Sequence, residues 1–279
     1  MLDDSNTPND VAAPTQTAAS DEQGTPDQLS LQLSAELPAL PTNLRPMLPR
    51  PAQVPFDSPN HLFQPLWGGL RSLIFVGPPT RAATGELRIL DADGVDWTRR
   101  FPELAGVTSQ LAARSAILDG EIAVVDRFGR HDPEGLKGRL AGRPAPPAVF
   151  LAFDLLHLDG RSLLGTPLDR RRELLRRTVA HGQGNGPLLV VPAIETDGRV
   201  LHAAVVDQQL AGTLARVRTS PYLPGVRSRL WQFVATSESE RAIAGASPEE
   251  TVGIAEVVAG DRPAAPVLTV IARLPLEEA

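Results

Sequence analysis

The chain contains no cysteine, which excludes a disulfide, a thiolate metal site and a cysteine nucleophile. Lysine is almost as scarce. Lys137 is the only one among 279 residues, and arginine carries all other basic side-chain charge. Any reaction that begins at a lysine amine must therefore use Lys137 or not occur. Long apolar runs are missing too, and nothing approaches the ~18–20 residues that span a bilayer. The opening MLDDSNTPND is acidic where an export signal is basic, so a soluble, cytoplasmic protein with no membrane association is expected.

The net charge of −6 is unevenly placed. Residues 1–45 hold seven of the 33 acids but only one of the 27 bases, which leaves the remainder balanced. A neutral body with an acidic leader is not the footprint of a strong nucleic-acid binder, which must neutralise phosphates. Residues 1–45 are rich in Asp, Thr, Pro, Gln, Ser and Ala and poor in β-branched and aromatic residues, so disorder is expected there. Beyond residue 45, short strands are predicted at Arg71–Val76, Glu86–Leu90, Ala116–Val125, Val149–Leu158, Gly212–Arg218 and Arg229–Ala235. Helices are predicted at Phe101–Ala113, Leu168–Ala180 and Arg199–Gln209. In the second of these, Leu168, Leu174, Leu175 and Val179 point inward, and Arg170, Arg171, Arg172, Arg176 and Arg177 are expected to be largely solvated. The five histidines, at 61, 131, 157, 181 and 202, show no ligand spacing, so no metal site is expected. GQGNG at 182–186 lacks the Lys-Ser/Thr of a phosphate loop and reads as a plain loop.

Five segments stand in a recognisable order: GVDWTRRFPEL (94–104), AILDGEIAVVD (116–126), FLAFDLLHLDGRSL (150–163) and TSPYLPGVRSRLW (219–231), preceded by Arg45-Pro46-Met47-Leu48. Together they resemble the adenylation domain of ATP-dependent DNA ligases, in particular the ligase domain of bacterial end-joining ligase D. The resemblance implies an α+β nucleotidyltransferase fold (the ATP-grasp-like fold shared with mRNA capping enzymes), with antiparallel sheets flanked by helices. It covers about 46–235 as one adenylation domain, followed by a short β-rich remnant of an oligonucleotide-binding barrel at 236–279.

In that family a lysine of a KxDGxR motif attacks the α-phosphate of ATP. The reaction needs a nitrogen nucleophile, a metal such as Mg to neutralise the triphosphate, and cations facing the leaving pyrophosphate. Here the segment reads Leu66-Trp67-Gly68-Gly69-Leu70-Arg71, which puts Leu66 at the nucleophile and Gly68 at the acid. The RNG arginine falls on Ala92. The EGxxxK motif becomes Ala211-Gly212-Thr213-Leu214-Ala215-Arg216, and the lysines of the last motif become Gln232 and Ala235. Arg71, Asp119, Glu121, Phe153 (the adenine-stacking position) and Arg216 remain as a vestigial nucleotide pocket. Loss of both charge signs together predicts that the pocket closes without stranding a charge.

The resemblance thus implies a catalytically inactive ligase homologue with no catalytic residue and no cofactor, serving as a binding or scaffold protein in DNA repair. Its expected partners are a DNA-repair protein, or DNA bound weakly through Arg218, Arg227 and Arg229. Two alternatives differ in kind. One is an active ATP- and Mg-dependent ligase with a displaced nucleophile, for which only Lys137 qualifies. The other is an ATP-sensing module.

Overall fold

The computed structural model of the protein describes residues 37–78, 85–126, 130–179 and 186–236. Most of the acidic leader, His181 with nearly all of the GQGNG loop, and the expected β remnant from 237 onward lie outside the described residues. Leu40 and Leu44, within the stretch expected to be disordered, pack against the cluster around Met47, Tyr222 and Trp231.

Two sheets form the body. The first runs β1-β11-β10-β2-β9, from β1 (Leu48–Pro51), β2 (Ser58–Leu66), β9 (Ile194–Thr196), β10 (Gly212–Val217) and β11 (Arg227–Ala235). The second runs β4-β3-β5-β6-β7, from β3 (Leu70–Val76), β4 (Leu87–Asp91), β5 (Ala116–Val124), β6 (Ala148–Leu158) and β7 (Arg161–Ser162). A further strand, β8 (Leu188–Val190), lies parallel to β6, and β1 is parallel to β11. All other pairings in both sheets are antiparallel.

The second sheet is central because every residue of β5 is buried. Alternation along a strand sends successive side chains to opposite faces. Ala116, Leu118, Ile122 and Val124 join one core with Leu104, Val107 and Leu175. Ile117 and Ala123 face the other way, toward clusters built with the first sheet. Asp119 and Glu121 share the parity of Ile117 and Ala123, so β5 presents its two acids to the space between the sheets.

Helix α1 (Pro133–Leu140) packs on β5, α2 (Leu168–Thr178) on β6, and α3 (Gly198–Asp207) on β2 and β10. Asp132 caps α1 by accepting from Gly135 N–H, with Pro133 at the first helical position. Two expectations are corrected. The stretch expected to be α-helical from Phe101 is a 3-10 run over Pro102–Gln110. Its buried residues Leu104, Val107 and Gln110 are spaced by three, the period of that tighter helix. In α2, Arg171 and Arg172 are buried rather than solvated, because β6 offers them the Asp154 carboxylate and the Phe153 carbonyl, and loops add the carbonyls of Thr166, Val191 and Ser220.

Candidate functional site

Most of the uncharged positions that the resemblance aligns with the family's charged motif residues come together. Leu66, at the end of β2, lies opposite Gly212 on β10, and Gly212 lies opposite Ala235 on β11. Ala211 N–H donates to Leu66 O at 3.0 Å. A Cβ on Gly68 would sit 3.2 Å from Ala211 Cβ. The nucleophile position, both acid positions and one cation position thus share a corner. Leu66 and Ala211 pack there against Phe233 and Ala235, so the corner is apolar. Gln232 lies farther along β11, paired with Ala215 and Arg50. Ala92 sits in a closed turn in which Asp91 accepts from Asp93 N–H, Val95 N–H and the Trp97 indole.

The retained residues form a second group directly behind this corner. Arg71 and Glu121 are cross-strand partners on β3 and β5, but the Arg71 guanidinium bonds Asp119 instead, at 2.7 Å. It lies over the Phe153 ring at 5.1 Å and the Trp231 ring at 5.8 Å. Tyr222 OH also donates to Asp119, at 2.9 Å, and accepts from Met47 N–H at 2.8 Å. Glu121 turns to the backbone: Gly69 N–H donates to its Oε2 at 2.7 Å, and the Trp67 and Gly68 amides add to the hold. Glycine is required at both positions of this turn. Gly68 adopts φ +79°, and a Cβ on Gly69 would meet Ile122 O at 2.4 Å. Burial raises the Glu121 carboxyl to about 7 against the pull of these amides and Arg71. Burial likewise raises Asp119 to about 6, against Arg71.

Arg216 and Phe153 are fully buried. Arg216 donates to Asp154 at 3.3 Å, to Phe153 O at 3.1 Å and to Gln64, and it stacks over Trp231 at 4.9 Å. Arg216, which the resemblance assigns to the vestigial nucleotide pocket, directs its guanidinium to groups inside the protein. Sequence reasoning missed the group it belongs to. Arg171 grips both oxygens of Asp154 at 2.9 Å, while Arg172 donates to Phe153 O and Val191 O at 2.6 Å each. Gln64, a lone polar residue in the buried end of β2, was the available signal that a polar partner waited opposite.

The remaining candidates lie elsewhere. Arg218 bridges Asp169 at 2.9 Å and Glu195 at 2.8 Å. Arg227 donates to Pro49 O at 2.8 Å, and Arg229 is exposed on β11. Lys137 lies on α1 and pairs with Glu134 at 3.2 Å. Among the described residues no three His, Asp or Glu side chains gather as metal ligands, and no helix is long and apolar enough to cross a membrane.

Comparison with known proteins places the fold first. A solved mycobacterial DNA ligase D complexed with ATP and MES superposes with a TM-score of 0.59 at 30% identity, covering 71% of this chain and 62% of that one. The ligase domain of Mycobacterium tuberculosis LigD gives 0.58 at 31% identity, covering 70% and 60%. This is the nucleotidyltransferase fold of DNA ligases. The pattern that defines the ATP dependent DNA ligase domain matches residues 80–233, more than half of the sequence, and the chain belongs to that family. The multifunctional end-joining repair protein LigD of M. tuberculosis is 35% identical over 191 residues, which is 68% of this chain and 23% of LigD. The chain therefore spans about a quarter of the length of that relative.

Proposed function

We propose that this chain is a non-catalytic member of the DNA ligase domain family, acting as a binding or scaffold module in DNA end repair. One observation carries the reading. The nucleophile position, Leu66, sits in an apolar corner with Ala211, Phe233 and Ala235, where no side chain can form a phosphoramidate. Loss of a nucleophile in an enzyme can lower the rate on the order of 10⁶-fold.

The residues behind that corner do not fit an adenine nucleotide or its metal. Phe153 has no exposed surface, and the Arg71 guanidinium covers a face of its ring. Glu121 already serves the backbone of the turn, and the two acid positions nearest Leu66 hold Gly68 and Ala211. The alternative of a displaced nucleophile rests on Lys137, whose ammonium is engaged by Glu134 on α1. DNA attraction falls to exposed arginines such as Arg229, since Arg216 is buried and Arg218 is paired twice. Such binding is weak and salt-dependent.

Incubation of the purified protein with α-labelled ATP and Mg, followed by acid precipitation, tests the reading. The expected result is no protein-bound label. Label on the unmodified protein that disappears in Lys137→Ala would overturn it in favour of the displaced nucleophile.

A further inference from the structure

The helices of the body differ in what they turn to solvent. On α2 the exposed residues are Arg170, Arg176 and Arg177, the ordinary charged face of a surface helix. On α3 the inward residues Leu201 and Val205 pack in the cluster of Phe63 and Trp67, and the opposite side is apolar as well. Val200 is 62% exposed and Val206 47% exposed, and Ala203 between them is exposed too. Residues three apart on a helix are neighbours, so these three form one row on the side away from the sheet. The only charged residues of α3 are Arg199 and Asp207, near its two ends. A helix that is apolar on every side is a buried helix, yet no described residue covers this face.

The chain itself leaves the described body beside this helix. After β11, Thr236 donates through its hydroxyl to Leu210 O at 2.7 Å and through its amide to Ala211 O at 3.1 Å. Leu210 N–H in turn donates to Val205 O of α3 at 3.0 Å, so residue 237 starts next to the C-terminal end of α3. Residues 237–251 are mostly polar or small, and two apolar runs follow them, VGIAEVV at 252–258 and VLTVIAR at 267–273. A stretch as long as 237–251 can extend to roughly 50 Å, several times the roughly 15 Å length of α3. Each run carries a single charge, Glu256 in one and Arg273 in the other, which matches one charge of each sign on the helix.

We propose that residues 252–273 of this chain lie over the outward face of α3 and bury Val200, Ala203 and Val206. Tethering favours this occupant over a second copy, because a segment on a flexible linker acts at a roughly millimolar effective concentration. A row of three small side chains then suffices, whereas a stable dimer needs roughly 800 Å² from each partner. The inference gives the stretch expected from sequence to be a β-rich remnant a place on the body, and it stands whether or not the protein reacts with ATP.

The absence of cysteine makes the test clean. In the full chain, Val206→Cys supplies the only thiol, which is labelled with a benzophenone that inserts into neighbouring C–H bonds on irradiation. Expected is a cross-link within one chain to a peptide from 252–273. Cross-links only to other parts of the body, or no cross-link, would overturn the proposal, and cross-links to a second chain would replace it with a dimer. Hydrogen exchange gives an independent readout. Amides in 252–273 should be protected in the unmodified protein. In the Val200→Asp, Val206→Asp double variant they should exchange about tenfold faster, as loss of a buried Val side chain implies, while β5 amides keep their rate. Both positions are exposed, so the body keeps its fold and β5 reports that it does. Exchange in 252–273 at the rate of an unstructured peptide, or a rate unchanged in the double variant, would sink the idea.

Discussion

Asp119 on β5 and Asp154 on β6 are register partners in the same sheet, both fully buried, yet their surroundings are opposite. Both oxygens of Asp154 are saturated. Oδ1 accepts from Arg171 Nε and Leu155 N–H, and Oδ2 from Arg171 Nη2 and Arg216 Nη1. Asp119 has one oxygen held by Arg71 and Tyr222 and one with no partner among the described residues. The next acid along, Glu121, bonds the backbone amides of Gly69, Trp67 and Gly68, with Arg71 acting on it at a distance. The Asp154 cluster therefore completes itself from the protein's own side chains. The Asp119–Glu121 pair lies on the side that the family resemblance assigns to nucleotide, and there Trp67 and Phe153 pack in one apolar cluster with Arg71 over the Phe153 ring. On the non-catalytic reading proposed above, the structural carboxylate is intact and the carboxylates on the nucleotide side are the less fully bonded ones.

The largest expected effect breaks the saturated side. Asp154→Asn removes the charge that holds Arg171 and Arg216, leaving buried guanidiniums uncompensated, and should destabilise by about 3–5 kcal/mol. Asp119→Asn should cost clearly less, because the Asp119 carboxyl titrates near 6 and its partner Arg71 is 20% exposed and keeps contact with water. Urea denaturation of both variants at pH 7 measures the difference. Equal losses would dissolve the contrast between the two clusters.

A pH series sharpens it. Glu121 has a folded-state value near 7 against an ordinary value of 4.5, so its contribution is full below about 4.5 and is lost as pH rises through 7. Asp119 behaves the same way up to about 6. His131 opposes them. Burial lowers it to about 4, so its contribution is lost as pH falls from 6.5 toward 4. Subtracting Glu121→Gln from the unmodified protein isolates one group. Their stability difference should shift against the unmodified protein by up to about 3 kcal/mol between pH 4.5 and 8, at about 1.4 kcal/mol per pH unit. A flat difference would mean that the turn amides fully offset burial of the charge.

β3, β4, β5, β6, β10 and β11 were readable from sequence because dense apolar runs such as 116–124 leave little else possible, whereas β2, with Pro59, Asn60, His61, Gln64 and Pro65 among its residues, was not. Motif order singles out Leu66, Gly68, Ala211 and Ala235, and these four share a corner. Burial of Arg171 and Arg172 was not readable. In the run Arg170-Arg171-Arg172, helical periodicity alone cannot decide which guanidinium meets a carboxylate on another element, and that carboxylate, Asp154, lies 17 residues earlier in a strand of apolar neighbours. The internal bonds of Arg216 were not readable for the same reason, its partners Gln64 and Asp154 being 152 and 62 residues distant. Pairwise burial is a tertiary property, whereas an apolar run is a local one.

The smallest expected effect is on activity. Leu66→Lys restores the nucleophile's identity, and nick sealing should nevertheless stay at the level of a reaction without protein. The new amine would face Phe233, Ala211 and Ala235, an apolar setting that lowers a lysine pKa but supplies neither metal nor phosphate contacts. Adding the missing acids meets the backbone itself. An aspartate at position 68 would take φ +79°, with its Cβ 3.2 Å from that of residue 211, where the second acid must also go. Repairs at these positions are therefore coupled and cannot recover activity one at a time. Sealing by Leu66→Lys above the blank, measured on a labelled nicked duplex, would show that the corner still opens to nucleotide and DNA. The self-filled side of the molecule would then be a closed state of a working site rather than its replacement.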